Sequence, residues 1–182
     1  MILFLPPAPH TGAFFDTVRQ SLQGVDTKAV TYPGYGDEPK TAASISAYAA
    51  HSLQNKDAIL VGFHTGCLVA LEMAKQSSQL GRLILVDVPY FDEQTKREYA
   101  SGLDPENSAH DAFRAAFSYD LDTVLKTTQH EVICIATDSS LYEPTVKAST
   151  LIPDCRLIKR RDIGKPAFEN AAMADLIRVL AT

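Results

Sequence analysis

The sequence has few cysteines and no long apolar run, and these two features exclude several classes of protein. Its three cysteines, Cys67, Cys134 and Cys155, are odd in number and follow no metal-ligand spacing. We therefore expect no disulfide framework, and we expect a cytoplasmic protein. No apolar stretch approaches the roughly 20 residues that a membrane-spanning helix needs, so we expect no membrane partner.

Long runs of one charge sign are also missing. The formal net charge is -5, and the densest basic cluster is the short stretch of residues 159–161. We interpret that cluster as a solvated strand end, and we expect no nucleic-acid partner. The opening MILFLPP lacks the basic segment of a signal peptide and is typical of a strand.

Short apolar runs alternate with stretches of helical periodicity along the chain. With 182 residues, of which 46% are hydrophobic and 21% charged, we expect one domain over residues 1–182. Strands separated by helices predict an α/β fold with a doubly wound, mostly parallel sheet of about six strands. The predicted strands are residues 2–5, 28–32, 58–63, 82–88, 132–136 and 156–159. The predicted helices are residues 12–23, 44–54, 65–77 and 168–180.

The segment 89–130 contains no convincing strand and is longer than an ordinary crossover needs. We predict that it forms a short helical cap or crossover region above the carboxyl edge of the sheet. Ligands bind at that edge in open α/β sheets, so the segment is expected to border a ligand pocket.

Four stretches of sequence, in order, resemble the α/β-hydrolase superfamily. They are LFLPPAPHTGAFFD, TYPGYGDEP, AILVGFHTGCLVALEMA, and finally EVICIATDSSLYEP with the later RDIGKPAFENAAMADLIRVL. By that resemblance they correspond to the oxyanion loop, a Pro-Gly-x-Gly loop, the nucleophile elbow, and the acid and histidine loops with the closing helix. The resemblance implies a small, reduced member of the family that lacks the usual amino-terminal antiparallel hairpin.

The third stretch resembles the family's nucleophile elbow, a sharp strand-to-helix turn with small flanking residues. Gly62 and Gly66 take the flanking positions, and His64 takes the raised position where the family usually has serine. The resemblance also implies that the backbone N–H of Thr65 faces an oxyanion. Because His64 has no hydroxyl, it cannot form the ordinary acyl-enzyme ester, and we predict a degenerate catalytic triad.

The other two members of the family's triad are altered or displaced as well. The GKP loop, where the resemblance places the histidine, contains Lys165. A lysine ammonium is a poor base near neutral pH unless it is desolvated. The resemblance places the acid at Asp138, or at Ser139 if the alignment shifts by one residue. Lys165 and Asp138 either form an ion pair in place of the usual pair or lie separately in solvent.

The oxyanion loop departs from the family pattern too. Pro6 and Pro7 occupy the region where the family usually has His-Gly, and prolines have no N–H to donate. The second oxyanion donor is therefore expected from Ala8 or a neighbour. His10 follows two residues later and is a candidate to turn toward the pocket.

Other reactive side chains near the elbow have structural interpretations. Cys67 is expected to pack rather than react, because free cysteine behaves as a small buried hydrophobe. Asp87 lies at the end of a predicted strand, at the carboxyl edge of the sheet. It is an alternative to Asp138 as the acid of the triad, although we expect it to cap the following turn. His10, His64 and Asp138 show no metal-ligand spacing, so we expect no metal.

Three functions remain open from the sequence. The first is a divergent relative that binds a small molecule at the sheet's carboxyl edge and has lost Ser-His-Asp hydrolysis. The second is a hydrolase or lyase that uses His64 with Asp138 or Lys165 in an atypical site. The third is an interaction protein that keeps the fold as a scaffold. We favour the first, with a small-molecule ligand as the partner and no cofactor.

Overall fold

The computed structural model describes residues 1–53, 57–104 and 106–181, and a six-stranded sheet lies at its centre. The strands are β1 (Ile2–Leu5), β2 (Thr27–Ala29), β3 (Ile59–Phe63), β4 (Leu83–Val86), β5 (Val132–Thr137) and β6 (Arg156–Arg160). They lie in the order β2-β1-β3-β4-β5-β6, and every neighbouring pair is parallel. The predicted α/β fold with a parallel sheet of six strands is confirmed.

Helices cover both faces of the sheet. The described residues form α1 (Asp16–Ser21), α2 (Ile45–Ser52), α3 (Thr65–Gln76), α4 (Glu93–Ser101), α5 (Asp111–Phe117), α6 (Leu121–Thr127), α7 (Tyr142–Ser149) and α8 (Ala171–Leu180). Short 3-10 turns lie at Gly12–Phe15, Ser108–His110 and Ala167–Glu169. None of the helices in the described ranges is both long and apolar enough to cross a lipid bilayer.

Two hydrophobic cores form because successive side chains of a strand point to opposite faces of the sheet. Leu60 and Leu85 face the core that also contains residues of α2, α3 and α5. Val61 and Ile84, their sequence neighbours, face the core completed by α1 and α8. The central strands are buried on both faces, which explains why they are almost wholly apolar in sequence.

The predicted helices are present with shifted ends. The stretch 12–23 begins as a 3-10 turn before α1, and the predicted end at Gln54 lies outside the described residues. Ser44 caps α2 as expected, since its hydroxyl accepts a hydrogen bond from the backbone N–H of Ala47 at 3.0 Å. The last helix begins later than expected, because Asn170 caps α8 by accepting from the N–H of Ala172.

The chain between β4 and β5 contributes α4, α5 and α6 and joins the rest of the fold through tyrosine hydroxyls. The hydroxyl of Tyr35, in the Pro-Gly-x-Gly loop, accepts a hydrogen bond from the N–H of Ala112 at 3.1 Å. The hydroxyl of Tyr119 donates to the buried carboxylate of Glu72 in α3 at 2.9 Å. These bonds hold the segment against the Pro-Gly-x-Gly loop and α3, which α5 and α6 both contact.

Candidate functional site

His64 lies on the turn between β3 and α3, where the elbow motif predicts it. Its backbone angles are φ 50° and ψ -116°, a combination that residues other than glycine rarely adopt. A side chain on Gly62 would come within 2.6 Å of the carbonyl oxygen of Gly66. A side chain on Gly66 would collide with the carbonyl oxygen of Leu5. The tight turn therefore depends on both glycines.

The imidazole of His64 packs against an aromatic ring and makes few polar contacts. Its ring lies against that of Phe63, with the centroids 3.9 Å apart, and the buried Nε2 has no hydrogen-bond partner among the described residues. Burial lowers the pKa of His64 to about 4, reinforced by Lys165 and His10 and opposed by Asp87. His64 is therefore neutral at pH 7, so it can accept or donate a hydrogen bond without carrying charge.

A cavity of about 320 Å³ opens above His64 at the carboxyl edge of the sheet. Its lining is mostly apolar and contains no Asp, Glu, Lys or Arg among the described residues. The lining residues are Ala8, His64, Thr65, Pro89, Phe91, Tyr99, Leu103, His110, Phe113, Ala116, Phe117 and Leu141. The elbow and the oxyanion loop form the floor of this cavity, and the segment between β4 and β5 supplies most of its walls.

Two of the predicted oxyanion residues, Thr65 and Ala8, line the cavity beside His64. Thr65 is the first residue of α3, so its N–H has no acceptor within the helix and is available to a ligand oxygen. His10 is exposed and packs on Phe14, with their rings 4.9 Å apart. His10 is absent from the cavity lining within the described residues, although it is close enough to affect the pKa of His64.

Asp138 and Lys165 do not join His64 in a hydrogen-bonded site. Both side chains are exposed, and no ion pair links them in the part of the chain that the structure describes. The backbone N–H of Asp138 donates to the carbonyl of Ile163 at 2.8 Å. The hydroxyl of Ser139 accepts from the N–H of Leu141, at the turn into α7. The positions of Asp138 and Ser139 therefore shape the turn after β5.

The buried carboxylate near the elbow is that of Asp87, which follows β4 and is only 1% exposed. Its Oδ1 accepts from the N–H of Thr137 at 2.9 Å, and its Oδ2 accepts from the Thr137 hydroxyl at 2.6 Å. Our expectation that Asp87 caps its own turn is therefore wrong, because the carboxylate joins the ends of two neighbouring strands. Asp87 raises the pKa of His64, although no hydrogen bond connects the two side chains.

His110 is a cavity residue that the sequence did not reveal. It precedes α5, and its Nδ1 accepts a hydrogen bond from the backbone N–H of Asp104 at 3.0 Å. In neutral imidazole the other nitrogen then carries the proton, so Nε2 of His110 is a donor. A lone histidine in a polar loop has no motif around it, and only the folded arrangement places it in the cavity wall.

Cys67 is fully buried in α3, as expected. Its thiol donates to the carbonyl oxygens of Gly62 and Val86, each at 3.3 Å. Burial raises the pKa of the Cys67 thiol well above its ordinary value, so the reactive thiolate is not formed at neutral pH. Cys67 therefore supports the elbow from below.

Known structures share the fold across nearly the whole chain. An esterase from Exiguobacterium antarcticum is 16% identical, with a TM-score of 0.78 and coverage of 100% of this chain and 91% of that one. An α/β hydrolase from Sphaerobacter thermophilus is 13% identical, with a TM-score of 0.76 and coverage of 100% and 92%. A bromoperoxidase from Bacillus anthracis is 15% identical, with a TM-score of 0.73 and coverage of 99% and 89%.

The sequence comparisons agree with this fold. No curated protein matches the chain significantly. The family model described as the thioesterase domain matches residues 1–161. That match spans the elbow, the oxyanion loop and all six strands, so the chain belongs to the thioesterase-domain family, within the α/β-hydrolase fold.

Proposed function

We propose that this protein binds a small uncharged molecule in the cavity above His64 and has lost Ser-His-Asp hydrolysis. The observation that carries the proposal is the neutral imidazole of His64, which has a buried, unpartnered Nε2 beside an apolar cavity of about 320 Å³. A buried polar atom without a partner is costly, and a ligand that hydrogen-bonds to it removes that cost.

Loss of the usual hydrolysis follows from the side chains around the elbow. Serine hydrolases need a hydroxyl, a base within hydrogen-bond distance and an acid that orients the base. Here the raised residue is His64, and the residue expected in the base position, Lys165, is exposed and carries a different chemistry. No hydrogen-bonded chain runs from His64 to Asp138 or Asp87 among the described residues.

The polar end of the ligand is expected to be a carbonyl group. The N–H of Thr65 at the start of α3 and the adjoining Ala8 loop face the same cavity as His64. A helix N-terminus favours partial negative charge, which a carbonyl oxygen carries. The family to which the chain belongs makes an acyl compound the natural ligand class.

The expected cytoplasmic location is supported by the cysteines. Cys67, Cys134 and Cys155 form no disulfide, as is usual for proteins of the reducing cytoplasm.

A second candidate is an atypical hydrolase or lyase, which the neutral state of His64 favours. An unprotonated imidazole is competent as a nucleophile or a general base. In such a reaction Nε2 attacks an activated carbonyl, the leaving group departs, and water hydrolyses the acyl-imidazole. The missing hydrogen bond to an acid makes this candidate weaker, because no group stabilises the imidazolium that forms.

Binding is tested directly with methyl hexyl ketone, a neutral carbonyl compound that cannot be hydrolysed. NMR of histidine-labelled protein should show a saturable shift of the His64 ring signal, assigned with His64→Gln. Ala116→Trp, which places a large ring in the cavity lining, should abolish the shift. Ala100→Trp, on the exposed surface of α4, is the matched control and should leave it unchanged. Failure of the ketone to bind, or binding to both variants alike, contradicts the proposal and favours the scaffold function.

Hydrolysis is tested separately with fluorophosphonate probes and a nitrophenyl ester. We expect no covalent labelling at the elbow and little turnover, because such probes need an activated oxygen or sulfur nucleophile. Turnover that is lost in His64→Ala but kept in His110→Ala would support the second candidate. Stoichiometric labelling of the wild-type elbow that is lost in His64→Ala would contradict the proposed loss of hydrolysis and favour the second candidate.

A further inference from the structure

We infer that the ligand carries a flat aromatic ring next to an uncharged carbonyl group. This inference rests on the proposed binding function and names the class of ligand for the same cavity. It is carried by an aromatic wall that the segment between β4 and β5 contributes to the cavity. Four aromatic residues form this wall: Phe91, Tyr99, Phe113 and Phe117.

Helical geometry assembles half of the aromatic wall. Phe113 and Phe117 are four residues apart on α5, so their side chains lie on one face of the helix. Ala116, on the same face, is small and leaves the space between them and the elbow open. Phe113 and Phe117 have the spacing of an apolar stripe that packs into a core, but here they line a cavity.

The other half of the wall comes from α4 and the loop before it. The rings of Tyr99 and Phe117 are stacked, with centroids 6.0 Å apart and an interplanar angle of 19°. Phe91 meets Tyr99 edge to face at 5.2 Å. Rings that already stack and meet edge to face offer both preferred geometries to a further ring.

The wall is only partly covered by the protein itself. Phe91, Phe113 and Phe117 are half-buried, and Tyr99 is 53% exposed. A ring that fills the cavity would remove this apolar surface from water, which is the main source of binding free energy in such pockets. The cavity volume of about 320 Å³ is at the small end for ligand pockets, which suits a one- or two-ring molecule.

The charge of the ligand follows from the same lining. Among the described residues the cavity lining has no Asp, Glu, Lys or Arg side chain, and its two histidines, His64 and His110, are uncharged. His64 is neutral because burial lowers its pKa, and His110 accepts a hydrogen bond at Nδ1, which only neutral imidazole can do. A carboxylate or ammonium would enter without a counter-charge, and burying an unpaired charge is costly. A neutral carbonyl can instead accept from the N–H of Thr65, at the start of α3, or from Nε2 of His110.

Three probes of similar size separate these features in isothermal titration calorimetry. β-Naphthyl methyl ketone has the ring and the neutral carbonyl, methyl nonyl ketone lacks the ring, and β-naphthoate replaces the ketone with a carboxylate. We expect the naphthyl ketone to bind more tightly than naphthoate. In Phe117→Leu its affinity should fall about three- to tenfold, whereas that of methyl nonyl ketone should change less than about twofold. Phe91→Leu should show the same selectivity, and circular dichroism will verify that each variant is folded.

Tyr142→Leu is the matched control, since Tyr142 packs on Arg161 and is not a lining residue of the cavity, so the change should alter neither affinity. If Phe117→Leu and Phe91→Leu weaken both ketones equally, the aromatic inference is overturned while the proposed binding function stands. If naphthoate binds as tightly as the naphthyl ketone, the requirement for an uncharged ligand is overturned. If none of the probes binds the wild-type protein, the binding function and this inference fall together.

Discussion

The low pKa of His64 predicts a specific loss of stability in mild acid. Burial lowers this pKa from 6.5 to about 4 in the folded protein. As the pH falls below 6.5, the unfolded chain takes up a proton on this residue, but the folded protein does not. Stability contributed by neutral His64 is therefore complete above pH 6.5 and is lost as the pH falls toward 4.

The magnitude follows from linkage between proton binding and unfolding. Each pKa unit corresponds to about 1.4 kcal/mol, so His64 removes about 2.5 kcal/mol between pH 7.5 and pH 4.5. In a protein of this length that loss lowers the melting temperature by about 5–10 °C. The effect is large compared with a total stability of about 5–15 kcal/mol.

The assay compares urea unfolding of the wild type and of His64→Gln at both pH values. Glutamine keeps a neutral polar side chain, and all other titrating groups are shared, so their contributions cancel in the comparison. The wild type should lose about 2.5 kcal/mol more than the variant on acidification. Equal losses, or an NMR titration of the His64 ring near its ordinary pKa, would refute the reasoning.

Three further predictions concern the elbow and its supports. Gly66→Ala should destabilise the protein by about 2–3 kcal/mol in thermal unfolding, because its methyl group meets the Leu5 carbonyl; Gly164→Ala, with open space around it, should be nearly neutral. Thr137→Val should cost about 1.5–3 kcal/mol in urea unfolding by removing a hydrogen bond to the buried Asp87 carboxylate. Thr150→Val, which removes an exposed hydrogen bond to the carbonyl of Lys147, should cost less. His64→Ser alone should give less nitrophenyl-ester turnover than His64→Ser with Lys165→His, because triad members act as a unit; equal rates would show that residue 165 does not take the base position.

The fold and the elbow are predictable from the sequence because both depend on local patterns. Apolar runs such as LILV in β4 read as buried strands, and they lie in the sheet as expected. The elbow is marked by Gly62 and Gly66, whose spacing leaves few geometries for the residue between them. Patterns of this kind are short in sequence and do not need knowledge of the tertiary structure.

The surroundings of His64 are less predictable because they depend on contacts between distant segments. Asp87 and Thr137 are 50 residues apart. No local pattern in either strand predicts the hydrogen bonds between the Asp87 carboxylate and Thr137 on the neighbouring strand. His110 lies just before α5, which packs on α3, and no sequence motif marks it as a cavity residue. The aromatic wall of the cavity is not predictable from the sequence for a similar reason. The spacing of Phe113 and Phe117 alone is typical of an apolar stripe that packs into a core.

The glycine contacts around the elbow fix the backbone at residue 64 independently of its side chain. The left-handed turn is imposed by close approach of the backbones of β1, β3 and α3, and the side chain of His64 forms none of these contacts. We therefore expect that a single substitution there replaces one reactive group with another while the scaffold stays folded. The fold thus holds position 64 in place independently of the side chain there, which makes this position suited to engineering alternative nucleophiles.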